Sequence, residues 1–301
     1  MRRSIIVRRA TSRSWEPGGA GVPLPSRVVR YVPLVASYLA LLIIIVLIAG
    51  PFLWMISNAF KDQTAIYANP PTWIPSPAIL DNFLIAWTQV PFGLFFLNSL
   101  KVAGLVTIGQ LVTCSMAAYA FARLRFPGRE ILFGVYLASL MVPSQVTIIP
   151  LYILMRTLGL VDNHASLILP ALASAFGTFL LRQFFLTIPR ELEEAAIIDG
   201  AGLLRVLLAV IVPLSKPALA ALTIFTFNYF WNDFFSPLIF LDSPQNLTLP
   251  VGLTLLQGQY AGTSPAVMLA GVCMAIIPVL IVFVIGQRYI VEGITLTGLK
   301  G

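Results

Sequence analysis

The chain has 301 residues, 58% of them hydrophobic and 10% charged, with a mean hydropathy of +0.90. A soluble fold of this length needs a polar coat that 19 basic and 12 acidic residues do not supply, and the same shortage excludes a disordered chain or a nucleic-acid binder, although the net charge is +7. Cys114 and Cys273 both lie in apolar stretches, so neither a disulfide framework nor a cysteine-based zinc site is indicated. The composition is that of an all-α membrane protein with several spans.

Residues 1–31 read as a flexible basic tail. Seven of the 19 basic residues fall in the first 30 positions, with Glu16 as the only acid among them and several glycines and prolines between. Arginines placed so hold a segment in the cytoplasm. Trp15 is the one aromatic residue between them, too little stacking surface to suggest a nucleic-acid partner. The uncharged run from Tyr31 to Phe60 far exceeds a signal h-region of about 7–15 residues, so it reads as an anchor rather than a cleaved leader.

A helix of about 20 apolar residues crosses the hydrocarbon core, and helices are the option that satisfies the backbone there. On that measure residues 32–301 form one transmembrane domain with six spans. They run over 32–57, 102–122 (its outer end reaching back toward Phe92), 131–155, 166–185, 218–241 and 264–286. Pro143, Pro150 and Pro170 are expected to kink or break the third and fourth spans. With the N-terminus inside, 16 basic residues fall on the cytoplasmic side and only Lys61, Lys101 and Arg156 outside. The positive-inside rule therefore puts both termini in the cytoplasm. The outer segment 61–91 is expected to hold a short helix N-capped by Asp81, with Phe83 and Trp87 at headgroup level.

The segment 188–213, between spans four and five, is unlike an ordinary basic loop. Pro189 suits a first helical position, and Glu191, Glu193 and Glu194 follow where the macrodipole favours anions. Leu192, Ala195 and Ala196 share a face, Gly200 and Gly202 end or bend the helix, and a second helical stretch over 203–212 runs to Pro213. The object is a short acidic helix beneath the membrane, with small residues that allow a partner close.

Glu194-Ala195-Ala196, Gly200 four positions later and Val210-Ile211-Val212-Pro213 resemble the EAA loop of ATP-binding-cassette (ABC) importer permeases. The valines depart mildly from the usual isoleucine and leucine. Further patches resemble the maltose-type carbohydrate permeases: Asn98-Ser99-Leu100, the run 117–124, Phe126-Pro127-Gly128-Arg129, Pro150-Leu151-Tyr152 and Trp231-Asn232-Asp233. The likeness extends from about Val32 to Gly301 and is nearest the second permease of a pair. It implies the type I importer permease fold in the cytoplasmic membrane of a prokaryote. The implied partners are a homologous permease subunit, two ATP-binding subunits, an extracytoplasmic solute-binding protein and membrane lipid. It also implies that Glu194, Ala195, Ala196, Asp199 and Gly200 form a coupling helix docked on the ATP-binding subunit. ATP and Mg belong to that subunit; this chain binds no cofactor and is not an enzyme. The C-terminal Gly293–Gly298 spacing mimics a phosphate loop, but Leu299 stands where the lysine would be.

Within the fifth span, Asn228, Trp231, Asn232 and Asp233 are the pathway candidates. Asp233 lies about 22 Å along that helix at about 1.5 Å per residue, an ionisable group at membrane depth, which points to function. Against this stands ordinary packing: asparagines bond across helices and aromatics gather at interfaces. Lys101 is expected to snorkel from an outer helix end, and His164 to be a solvated turn residue. The segment 242–263 reads as a long outer loop, and the resemblance implies that it faces the solute-binding protein. The resemblance implies a sugar or oligosaccharide as substrate, and the near absence of cations in the spans favours a neutral one. Glycerol-3-phosphate or its diesters are the alternative within the class. An ion-coupled secondary transporter fits poorly, since it would bring more intramembrane charge and inverted repeats.

Overall fold

The computed structural model describes residues 27–258 and 264–298, with side chains from 34 to 256 and from 264 to 289. Helix α1 (Arg27–Ala59) begins inside the expected basic tail, the rest of which lies outside the described residues. The chain divides into two units at Leu53/Trp54. The first is the N-terminal run of α1, a helix exposed along its apolar side chains, such as Ile43, Ile45 and Leu47. A helix hydrophobic all round is stable where lipid replaces water.

The second unit follows from Trp54. After a single turn, α2 (Gln63–Ile66), comes α3 (Asp81–Gln89). Asp81 is not its N-cap as expected; Leu80 takes that place without a side-chain bond, and Asp81 stands in the first turn, where the helix dipole still favours it. Helix α4 (Phe92–Arg123) joins the second span and its outer extension into one rod. Its buried positions Phe95, Ser99, Val102, Val106, Gln110, Cys114, Ala118 and Ala122 recur every three or four residues. One stripe of the helix thus faces protein along its whole length.

The segment expected as the third span is not one continuous helix. Helix α5 (Arg129–Ala138) passes through a 3₁₀ turn at Ser139–Met141 and then bends by 99° into α6 (Ser144–Thr157). Pro143 stands at the break, where it supplies no N–H and holds Val142 extended. The segment expected as the fourth span comprises α7 (Ala165–Ala171) and α8 (Ala175–Thr187), with Pro170 just before the interruption.

Helix α9 (Glu191–Ile198) is followed by α10 (Leu203–Val206), a π-helical turn at Leu207–Ile211 and α11 (Val212–Leu214). This stretch bends by 82° into α12 (Lys216–Trp231). The fifth span was expected to run to Leu241, but α12 stops at Trp231 and α13 (Phe235–Phe240) begins anew. Asparagine and aspartate compete with the helix for backbone partners. Here Asn232 Nδ2 returns to the Asn228 carbonyl at 2.8 Å, and Asp233 Oδ1 accepts the Ser236 N–H at 3.2 Å.

The expected outer loop 242–263 contains a helix, α14 (Leu249–Gly258), whose Leu249, Val251 and Leu256 are buried. Residues 259–263 lie outside the described set. Helix α15 (Pro265–Gly298) runs well beyond the expected end of span six.

Among the described residues, four helices are long and apolar enough to cross a bilayer, or up to six if each bent pair crosses once. Helix α4 packs on α8 and α12, and α12 on α15. Two apolar clusters result. One gathers Phe92, Phe95, Val106, Trp231 and Leu249; the other gathers Cys114, Ala118, Leu181, Phe185, Ile211 and Leu222. A Cβ at Gly177 of α8 would lie 3.0 Å from both Cys114 Sγ and Leu222 Cδ1. Helices approach this closely in membranes only through small residues.

Candidate functional site

Three places concentrate polar chemistry in this apolar bundle. The first is the segment around α9. Arg123 ends α4, where its charge suits the helix C-terminus, and its Nε meets Glu193 Oε1 at 2.7 Å. Its Nη2 also donates to the carbonyls of Phe185 and Ile188, the latter at 2.6 Å. One guanidinium therefore ties the end of α4 to the end of α8 and to α9. Tyr119, one turn back on α4, faces the same carboxylate.

Glu193 is the inward anchor of α9, and Ala196, one turn on, is half-buried against the second apolar cluster. Leu192 and Ala195, expected on one face with Ala196, point outward instead. Glu194, Ala195, Asp199 and Gly200 are all exposed, and Ile198 beside them is 85% exposed. The helix closes with paired bonds, Ala201 N–H to Ala196 O and Gly200 N–H to Ile197 O, both 2.9 Å. That closure needs a left-handed residue, and Gly200 supplies it with φ +84°. The segment is thus a rigid knob: one face locked to the bundle, the other presenting carboxylates, a small residue and an apolar tip.

The second place is a cleft of about 610 Å³ along the exposed side of α12, where Asn228, Tyr229 and Phe230 meet Gln110, Ser174 and Phe176. Gln110 shapes it by donating to Ala171 O at 2.8 Å and accepting from Thr226 Oγ1 at 3.0 Å. A smaller recess of about 190 Å³ shares Ala171, Tyr229 and Phe230 with the cleft and reaches Asp233, Ser144 and Thr147. Together they make a polar and aromatic track with no lysine or arginine in its lining. The structure brings Asn228 and Asp233 to this track, and Asn232 Nδ2 bonds Asn228 Oδ1 at 2.9 Å. Trp231 does not line it. Its ring is 2% exposed, stacks on Phe227 at 5.5 Å, and donates Nε1–H to Ala275 O at 2.9 Å.

The third place is a polar lock at the opposite end of the bundle from Arg123. His164 is buried there, against the expectation of a solvated turn. Its Nε2 lies 2.8 Å from Asn246 O, and its Nδ1 lies 3.3 Å from Lys101 Nζ. An ammonium can only donate, so Nδ1 accepts and Nε2 carries the proton. Lys101 is thus held at a specific partner. Beside it Asp162, with φ +59°, accepts the Asp242 and Ser243 N–H groups at 3.0 and 2.9 Å and the Ser243 hydroxyl. The Ser243 hydroxyl first, then its N–H, hold this carboxyl well below the usual range. Asn98 Nδ2 donates to Gln245 O and Leu247 O, both at 2.9 Å, completing the lock.

Sequence reasoning missed Arg123, Glu193 and the Asp162–His164–Asn246 lock. Arg123 lay within a patch already singled out, yet no spacing rule tells which of three neighbouring glutamates turns inward.

A family described as binding-protein-dependent transport system inner membrane component matches residues 110–295. The chain is 35% identical over 264 residues to the sn-glycerol-3-phosphate transport system permease protein UgpE of Yersinia pestis, covering 85% of this chain and 94% of that one. It is 37% identical over 254 residues to the arabinooligosaccharides transport system permease protein AraQ of Halalkalibacterium halodurans, covering 83% and 91%. The sulfoquinovosyl glycerol transport system permease protein SmoH of Agrobacterium fabrum is 36% identical over 253 residues, covering 83% and 88%. Among solved structures, a bacterial ABC transporter involved in the import of the acidic polysaccharide alginate is similar, with TM-score 0.78 and 27% identity over 89% of this chain and 99% of that one. With helices of spanning length, a buried anchor beneath an exposed acidic helix and these relatives, the chain belongs to the family of binding-protein-dependent transport system inner membrane components, the permeases of ABC importers.

Proposed function

We propose that this permease is the second of a heterodimeric pair of homologous subunits in the cytoplasmic membrane of a prokaryote, with six crossings and both termini in the cytoplasm. It is itself non-catalytic. ATP and Mg sit on two ATP-binding subunits, and α9 docks on one of them through Glu194, Ala195, Ala196, Asp199 and Gly200. A solute-binding protein delivers substrate to the end of the bundle that carries the Asp162–His164 lock. The observation that carries this reading is the split character of α9: Glu193 fixed to Arg123 at 2.7 Å, the opposite face free and acidic. A knob anchored so transmits a push into α4 and α8 rather than dissipating it.

The substrate is a neutral carbohydrate that moves along the track lined by Asn228 and Asp233, with Asn232 holding Asn228 in place. Aromatic faces at Tyr229, Phe230 and Phe176 suit sugar rings, and a carboxylate without a neighbouring cation repels anions. The relatives' names cover both neutral and anionic solutes, so glycerol-3-phosphate is the alternative.

Reconstitution with the partner subunits and binding protein tests this. Uptake of a neutral oligosaccharide should track ATP hydrolysis and vanish with Glu194→Arg. Uptake sustained by an ion gradient without ATP would overturn the coupling, and preference for glycerol-3-phosphate would overturn the substrate class.

A further inference from the structure

We propose that a basic recess between the start of α5 and the start of α9 binds the headgroup of an anionic phospholipid. The recess measures about 630 Å³ and brings together Arg125, Arg129, Arg190 and Glu130. Three guanidiniums face a single carboxylate, and that carboxylate is already engaged. Glu130 Oε1 takes Arg129 Nε and Nη2 at 3.0 and 2.6 Å, while its Oε2 lies 3.5 Å from Arg182. Among the described residues Arg125 and Arg190 form no ion pair. Arg129 Nη1 also donates to Leu124 O at 3.0 Å, so the loop holding the charges is fixed in advance.

What distinguishes a lipid from a free anion is the surface leading away from the recess. Ile131, Leu132 and Val135 of α5 are 76%, 55% and 65% exposed and share one side of the helix. The other side is committed, with Phe133 buried beneath the Arg182 guanidinium at 4.2 Å. A phosphodiester among the arginines would accept charge-assisted bonds, and its acyl chains would lie along the apolar side of α5. Basic pockets at the cytoplasmic edge of a helix bundle recognise anionic headgroups in this way. The inference rests on the reading that this end of the bundle faces the cytoplasm.

The test uses the assembled transporter, exposed to equal amounts of phosphatidylglycerol and phosphatidylcholine, with retained lipid read by native mass spectrometry. The wild type should retain phosphatidylglycerol preferentially. Arg125→Gln with Arg190→Gln should lower that retention about fivefold per guanidinium removed, and Arg125→Lys with Arg190→Lys should keep most of it. Equal retention of the two lipids, or retention untouched by the glutamine pair, would overturn the proposal. So would displacement by inorganic phosphate alone, which marks a free-anion site, or loss of the ATP-binding subunits in the glutamine pair, which marks a protein interface. ATP-driven uptake by the wild type in phosphatidylcholine alone reports separately on the coupling reading.

Discussion

Arg123 Nε and Glu193 Oε1 meet at 2.7 Å with side chains only 5% and 9% exposed, and this contact joins α9 to the bundle. Removing one partner of a buried pair strands the other charge, at a cost of about 3–5 kcal/mol. Arg123→Ala is the severe change, because the Phe185 and Ile188 carbonyls also lose their donor. It should lower the thermal midpoint of the purified transporter and abolish ATP-driven uptake. Glu193→Gln leaves an acceptor in place and should be milder on both measures. An Arg123→Ala transporter that unfolds at the wild-type temperature would show that the pair holds nothing.

The two glycines after α9 separate backbone need from sequence habit. Gly200 has φ +84°, whereas Gly202 has φ −73° and open space around a Cβ. A left-handed conformation costs an L-residue about 1–2 kcal/mol. Gly200→Ala should therefore disturb the end of α9 and reduce uptake, while Gly202→Ala should transport like the wild type. Equal damage from the two would assign Gly202 a direct contact with the ATP-binding subunit.

Asp162 gives a pH dependence of definite sign. Its folded-state carboxyl is depressed by the Ser243 hydroxyl and N–H, so the unfolded chain binds the proton more readily. The stabilisation is complete above the ordinary carboxylate pKa of about 4 and declines as pH falls below it. Asp162→Asn tolerates the same positive φ but removes the charge and the acceptor that Oδ2 offers the Ser243 hydroxyl. It should be less stable than the wild type at neutral pH, and the gap should narrow on acidification. Thermal unfolding across that range measures it; a constant gap would discount the carboxylate.

Trp231 and Asn228 lie on one helix with opposite expectations. Trp231→Ala empties a packed site and should cost about 3–5 kcal/mol, lowering assembled protein whatever the substrate. Asn228→Ala touches the cleft and should leave the unfolding temperature unchanged while raising the apparent KM for uptake. Reversed results would move the pathway to the other side of α12.

Composition and hydropathy alone determined the membrane class and the approximate place of the apolar segments, because lipid demands long helical runs whatever the packing. Pro143 also announced its break correctly, since a missing N–H is a local fact. The acidic segment around Glu194 stood out because four carboxylates and two glycines interrupt an otherwise apolar sequence. Tertiary structure decided what depends on neighbours distant in sequence. Arg123 selects Glu193 over Glu191 and Glu194, and Asn246 with Lys101 draws His164 out of solvent. Trp231 turns into the core because Phe227 and the Ala275 carbonyl wait there, leaving Asn228 and Tyr229 to the cleft. The end of α12 at Trp231 was likewise invisible to an apolar count, for it depends on where the side chains of Asn232 and Asp233 find backbone partners.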